Sequence, residues 1–188
     1  INRLSQRGGM VVSPDGGNHA SFSFVDQKNA TDNDYSAMGL RSEIEGFSLK
    51  DQSILGNVDE FGDGCHMQIL TVFPGFVLQQ IQNALAVRQI LPKGLGQTAL
   101  NWTYFGFADD TPEMTKARLR QNNLAGPAGY VSMEDGAVGG FVQRGVTAAG
   151  DERAVLEMGG GGTTNEGTRA TEASVRGFWK CYRGHMGV

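Results

Sequence analysis

Cysteine is scarce: Cys65 and Cys181 are the two in 188 residues, and neither belongs to a C-x-x-C pair. That is too few for a disulfide scaffold, and they read as reduced thiols of a cytosolic protein. Basic charge is in deficit, with 16 Lys and Arg against 20 Asp and Glu and a net charge of −4. A domain-wide phosphate-gripping surface is therefore excluded, and a nucleic-acid partner is not expected. No stretch approaches the roughly 18 consecutive apolar residues of a membrane span, and no signal peptide is legible. There is no Walker loop, no G-x-G-x-x-G after a strand, no G-x-S-x-G and no H-E-x-x-H. The run Gly159-Gly160-Gly161-Gly162 lacks the Lys-Ser/Thr that would make it a phosphate cradle; it reads as a flexible loop. Histidine is limited to His19, His66 and His185, none paired with another metal-ligand type in a convincing pattern.

Glycine, by contrast, is abundant at 28 of 188. The glycines follow no G-x-y period, so they mark turns and close backbone approaches rather than collagen. Apolar residues at 39% and charged residues at 19% describe one globular domain. No internal repeat is present. The chain opens on Ile1 rather than Met and runs straight into Gly8-Gly9, which reads as the later part of a longer polypeptide.

Met10 to Val12 and His19 to Val25 read as strands around the turn residues Ser13-Pro14-Asp15-Gly16-Gly17. Ala20, Phe22 and Phe24 alternate with Ser21 and Ser23, the pattern of a half-buried strand. Asp34 is placed to cap a helix over 35–47, and a further helix is expected near Leu49 to Asn57. Met67 to Phe73, Phe76 to Gln80, Ala84 to Leu91 and Gln97 to Phe107 read as four more strands. Pro92-Lys93-Gly94 is expected to separate the last two. Short connections make the sheet antiparallel.

Thr111-Pro112-Glu113 is a helix start, with Thr as N-cap, Pro at the first helical position and an acid in the first turn. That helix is expected to reach Asn123, before Gly126-Pro127. A second helix is expected over Met133 to Arg144. In the last segment Val175, Phe178, Trp179, Tyr182 and Met186 fall on one helical stripe, with Arg176, Lys180 and Arg183 opposite. The fold class is α+β: an antiparallel sheet wrapped by helices, with a long C-terminal helix over one face.

Glu134-Asp135-Gly136 follows the abrupt turn Gly126-Pro127-Ala128-Gly129-Tyr130. Asp135 reads either as a turn or helix-start residue, or as the single acid of a 2-His-1-carboxylate iron site. The histidines of such a site would have to come from elsewhere.

Taken in order, Met67 to Pro74, Arg88, Trp102-Thr103-Tyr104 and Gly126 to Gln143 resemble Rieske non-haem iron aromatic-ring-hydroxylating oxygenase large (alpha) subunits. Arg176-Gly177-Phe178-Trp179-Lys180, with Tyr182-Arg183, resembles that family's C-terminal helix. The resemblance covers nearly the whole chain and lies nearest the branch acting on salicylate, anthranilate, benzoate or terephthalate. It implies a helix-grip (START-like) catalytic domain, of which residues 1–188 are the C-terminal part. It further implies a mononuclear Fe(II) with Asp135 as its aspartate ligand.

The family's D-x-x-H-x4-H motif and the Cys/His pairs of its Rieske [2Fe-2S] cluster are absent from these residues, so the fragment alone is expected to be inactive. By the same resemblance, NADH electrons arrive through a reductase, often by way of a ferredoxin. They are used with O2 to hydroxylate an aromatic carboxylate. A cytoplasmic homotrimer is implied, with or without a small β subunit. Met67, Ile69, Gln79, Ala125 and Val131 fall at or near pocket-lining positions. Arg88 and Arg169 are the candidate carboxylate clamps, because guanidinium binds carboxylate bidentately and a cation in an apolar pocket is costly unless paired. The alternative is a non-catalytic helix-grip module that binds a small hydrophobic ligand and leaves Asp135 as an exposed turn residue.

Overall fold

The computed structural model describes residues 7–24, 50–150, 152, 161–167 and 171–188. Six strands form one antiparallel sheet in sequence order: β1 Arg7–Val12, β2 His19–Phe24, β3 Cys65–Val72, β4 Phe76–Ile81, β5 Ala84–Gly94 and β6 Gln97–Phe105. Three helices follow: α1 Pro112–Ala125, α2 Tyr130–Ala149 and α3 Ala173–Met186. The class is α+β, as expected from the sequence. The helix expected over 35–47, and its cap Asp34, lie outside the described residues, as do Val25 and the first two glycines of the Gly159 run.

The β1–β2 turn is built by its own side chains. Asp15 accepts from the Ser13 hydroxyl and from Gly17 N–H at 3.1 Å, Asn18 N–H donates to Ser13 Oγ at 2.9 Å, and Gly16 takes a left-handed φ of +84°. Asn18 Oδ1 then accepts from Phe73 N–H at 3.1 Å, which ties the turn to the end of β3.

Three sequence expectations need correction. The helix near Leu49 to Asn57 is one 3-10 turn, Gln52–Leu55, capped by Asp51. Ile54 is its one buried residue, which is too little apolar surface to hold a longer helix. Pro92, Lys93 and Gly94 do not separate β5 from β6; they are the last residues of β5, with Pro92 opposite Thr98. Ile90 N–H donates to Gly75 O at 2.8 Å, and past it β5 pairs with β6 alone. Proline is tolerated at such an edge. The second helix starts three residues earlier and ends five later than expected, Tyr130–Ala149 rather than Met133 to Arg144. Gly136, Gly139, Gly140 and Gly145 weaken its pattern without breaking it.

Alternation along the strands sorts the side chains onto two faces. Val12, His19, Thr71, Val77, Arg88 and Trp102 stand abreast on the inner face. α3 packs at the β1 end of that face, where Met10, Val12 and Ala173 make a buried cluster. Contact there is backbone to backbone. A Cβ on Gly177 would lie 2.8 Å from Gly16 O and 3.1 Å from Val12 Cγ1. Phe73 stacks against His185 (centroids 5.2 Å, planes 10° apart) and meets Phe178 at 5.5 Å.

At the other end α1 is anchored by Arg118, 5% exposed. Its Nε and Nη2 donate to Asp110 at 2.7 and 2.8 Å, and Nη1 donates to Glu60 at 3.1 Å and to Asn83 O at 2.6 Å. Nη2 also bonds Glu60 Oε1. Gln121 Oε1 accepts from Asn83 N–H at 2.8 Å, and the Asn83 amide exchanges bonds with Val58 N–H and O. These bonds pin α1 to the two-residue β4–β5 turn.

Candidate functional site

The strand register brings four of the expected pocket residues onto one face. Ile69 pairs directly with Gln79, Met67 with Ile81, and Val77 with Arg88, so Met67, Ile69, Gln79 and Arg88 all project inward. Gln79 is buried, and the other three are half-buried. Arg88 is the one Lys or Arg on that face among the described strand residues after Arg7.

Arg88 is flanked by aromatic rings that sequence reasoning did not single out as site residues. Its guanidinium carbon lies 5.0 Å from the centroid of Trp102, directly opposite on β6. Trp102 in turn stacks on Tyr104 at 6.0 Å with planes 23° apart. Arg88 Nε and Tyr104 Oη are both buried with no hydrogen-bond partner. Burial pulls the Arg88 guanidinium below its ordinary pKa, and the Asp135 carboxylate and Tyr104 oppose that shift. Burial likewise raises the Tyr104 phenol, and the Arg88 charge opposes it. An arginine keeps its charge under such a shift. The site therefore holds a fixed cation, a neutral hydroxyl and an aromatic wall.

The α1–α2 corner comes down on the same end of the face. A Cβ on Gly126 would lie 2.5 Å from Tyr104 Oη, so only glycine lets the corner approach so closely. Ala125, the last residue of α1, is buried, and Val131 in the first turn of α2 is half-buried. Asp135 lies one turn further along α2; it is helical and exposed, and its carboxylate is felt at Arg88. Arg169 lies outside the described residues.

An open hollow of about 540 Å³ between β6 and α1 is lined by Leu85, Tyr104, Phe107, Arg118, Leu119 and Asn122 among others. Tyr104 is the residue it shares with the Arg88 cluster. Met67, Ile69, Gln79, Ala125 and Val131 do not line it.

The described residues do not make an iron site. No three His, Cys, Asp or Glu side chains among them gather closely enough to hold a metal ion. His66 is buried beside Ser23, with Nε2 3.4 Å from the hydroxyl, and His185 stacks on Phe73 near the end of α3. Among the described residues no helix is long and apolar enough to cross a membrane.

The fold and the site together define an α+β domain whose inner face carries one aromatic-flanked cation. No family model matches the chain. Curated relatives do. It is 58% identical over 187 residues to the terephthalate 1,2-dioxygenase terminal oxygenase component subunit alpha 2 of a Comamonas species, a match of all of this chain and 45% of the relative. It is 40% identical over 187 residues to the anthranilate 1,2-dioxygenase large subunit of Burkholderia cepacia, covering 44% of that protein. With the large oxygenase component of salicylate 5-hydroxylase from a Ralstonia species it shares 38% over 150 residues, 79% of this chain and 36% of the relative. The chain is thus similar to the large subunits of these oxygenases, and it spans less than half the length of these relatives.

Proposed function

We propose that this chain is part of the catalytic domain of an oxygenase that hydroxylates an aromatic carboxylate, and that Arg88 binds the carboxylate. The observation that carries the reading is the Arg88 guanidinium, set on the inner face against Trp102 with its Nε unpartnered. A cation drawn from water into such a place is costly without an anion. Stacking on the indole offsets only about 1 kcal/mol of that cost. A carboxylate offsets more, because guanidinium presents paired N–H donors at carboxylate spacing. The three relatives are named for terephthalate, anthranilate and salicylate, each a carboxylate on an aromatic ring.

In this reading the fold is a helix-grip domain, with α3 and the α1–α2 corner closing the inner face from its two ends. Met67, Ile69, Gln79, Ala125 and Val131 shape the space for the ring and keep water from it. Arg88, with Arg169 as a second clamp, fixes which ring carbons face Asp135. In the whole protein Asp135 is one ligand of a mononuclear iron whose two histidines lie outside these residues. Electrons from NADH reach the protein through a reductase or ferredoxin and a Rieske [2Fe-2S] centre. The assembly is a cytoplasmic homotrimer, with or without a β subunit.

The test is Asp135→Ala in the whole protein. The expected result is loss of turnover and of mononuclear iron with the Rieske absorption spectrum intact. Turnover at the parent rate would remove Asp135 from the site.

A further inference from the structure

Three adjacent rows on the outer face of the sheet carry no charge. Val11, Ala20, Leu70, Leu78, Val87 and Thr103 stand abreast across all six strands. No Asp, Glu, Lys, Arg or His occurs in that row. Nor does one occur in the row on either side, which holds Phe22, Gln68, Leu85 and Phe105, or Phe76 and Gln89. Yet this face is open: Val11, Leu70, Leu78, Phe76 and Phe105 are all exposed. Five strand spacings make the row about 24 Å wide, and three rows give a surface on the order of 400 Å². Sheet faces that meet water carry Lys, Glu and other charged side chains, and depletion of charge is the mark of a buried interface core. Glutamine, asparagine and threonine are the polar residues here, and they hydrogen-bond across a contact without the desolvation cost of an ion.

A second surface repeats the pattern. α2 buries none of its 20 residues, and Val138, Phe141, Val142 and Val146 on it are exposed. A cover for both surfaces needs length, and the relatives have it: more than half of each lies outside the span that matches this chain.

We propose that the outer face of the sheet is an internal interface of the whole polypeptide, covered by the part that the relatives carry beyond the matched span. A chain-linked cover is held at high effective concentration, so an uncharged face of modest area suffices where a separate partner would need more.

The experiment uses the full-length protein with Leu78→Cys, in the middle of the row. Maleimide labelling of position 78 is read by peptide mass spectrometry, native against urea-unfolded, over a range of protein concentrations that includes the monomer. Protection of at least a hundredfold, the same at every concentration, is expected. Labelling within tenfold of the unfolded rate would show an open face and overturn the proposal. Protection that appears only as copies associate, or only when a second polypeptide is added, would assign the face to that partner and overturn it equally. If Leu78→Cys does not fold, Val11→Cys at the end of the same row gives the same readout.

Discussion

Arg88 on β5 and Trp102 on β6 are cross-strand partners, and the guanidinium lies over the indole at 5.0 Å. The pairing holds the cation on the inner face, where half-burial has already stripped part of its water. Replacing Arg88 by Ala in the whole enzyme removes a charged hydrogen bond to a carboxylate worth about 1.5–3 kcal/mol. KM for an aromatic carboxylate should rise roughly ten- to a hundredfold, and KM for the uncharged amide or ester of the same ring should change little. Steady-state kinetics on the matched pair checks this. Equal effects on the two substrates would leave Arg88 a packing residue.

Arg88 was visible from the sequence because an arginine in an apolar strand demands a reason. Trp102 and Tyr104 stood in the same sequence but not at the site. Their place depends on which residue of β6 faces Arg88, and a one-residue slip would turn both rings outward. That register depends on the turn, and the expected break at Pro92-Lys93-Gly94 put the turn too early; β5 continues to Gly94. The Arg118 cluster was equally illegible. Glu60 and Asn83 are far from Arg118 in sequence and converge on it only once β4, β5 and α1 are in place. Local signals survived well. Thr111 caps α1 through Met114 N–H at 3.2 Å, and Asp15 and Gly16 build the first turn. Those features depend on residues two or three apart, which is the range at which side-chain chemistry alone decides structure.

Gly177→Ala should loosen α3 from the sheet. Its new methyl would meet Gly16 O at 2.8 Å, and Gly16 cannot yield easily because its own Cβ position is filled by the Gly177 backbone. Overpacking costs about 1–3 kcal/mol, and against backbone that cannot move aside the upper part of that range applies, which exceeds the roughly 1 kcal/mol that alanine gains over glycine in helix propensity. The urea midpoint should fall by the corresponding amount with the slope unchanged. A midpoint at or above the parent value would mean that α3 shifts without cost.

His19 stands in the same inner row as Arg88, between Val12 and Thr71, with Nδ1 buried and unpartnered. Burial holds its pKa below the ordinary histidine value. The unfolded chain therefore takes up the proton at a higher pH than the folded one. Stability is full above the unfolded pKa and is lost as the pH falls through it toward the folded value. The slope cannot exceed about 1.4 kcal/mol per pH unit for one proton, and half-exposure of the ring screens it to less. His19→Gln should flatten the urea midpoint between about pH 7 and 5 relative to the parent. An unchanged profile would place the sensitivity elsewhere.

The Arg118 cluster makes the sharpest stability prediction. Its guanidinium donates to two carboxylates and to a strand-turn carbonyl while almost wholly buried. Arg118→Met keeps most of the volume but leaves Asp110 and Glu60 facing each other without a counter-charge, and leaves Asn83 O without its donor. Breaking a buried pair from one side costs about 3–5 kcal/mol. The loss should be seen in the urea midpoint and should soften the β4–β5 turn. Acid gives an independent reading. Arg118 holds the Asp110 carboxyl below its ordinary pKa, so that carboxylate stabilises the fold above the carboxylate range and ceases to as the pH falls through its folded pKa. In Arg118→Met that acid-linked loss should shrink, because the guanidinium is the largest cause of the depression and only the Phe107 N–H bond to Asp110 remains. A variant that is destabilised at neutral pH yet keeps the parent's acid slope would show that packing, and not the ion pairs, is what Arg118 contributes.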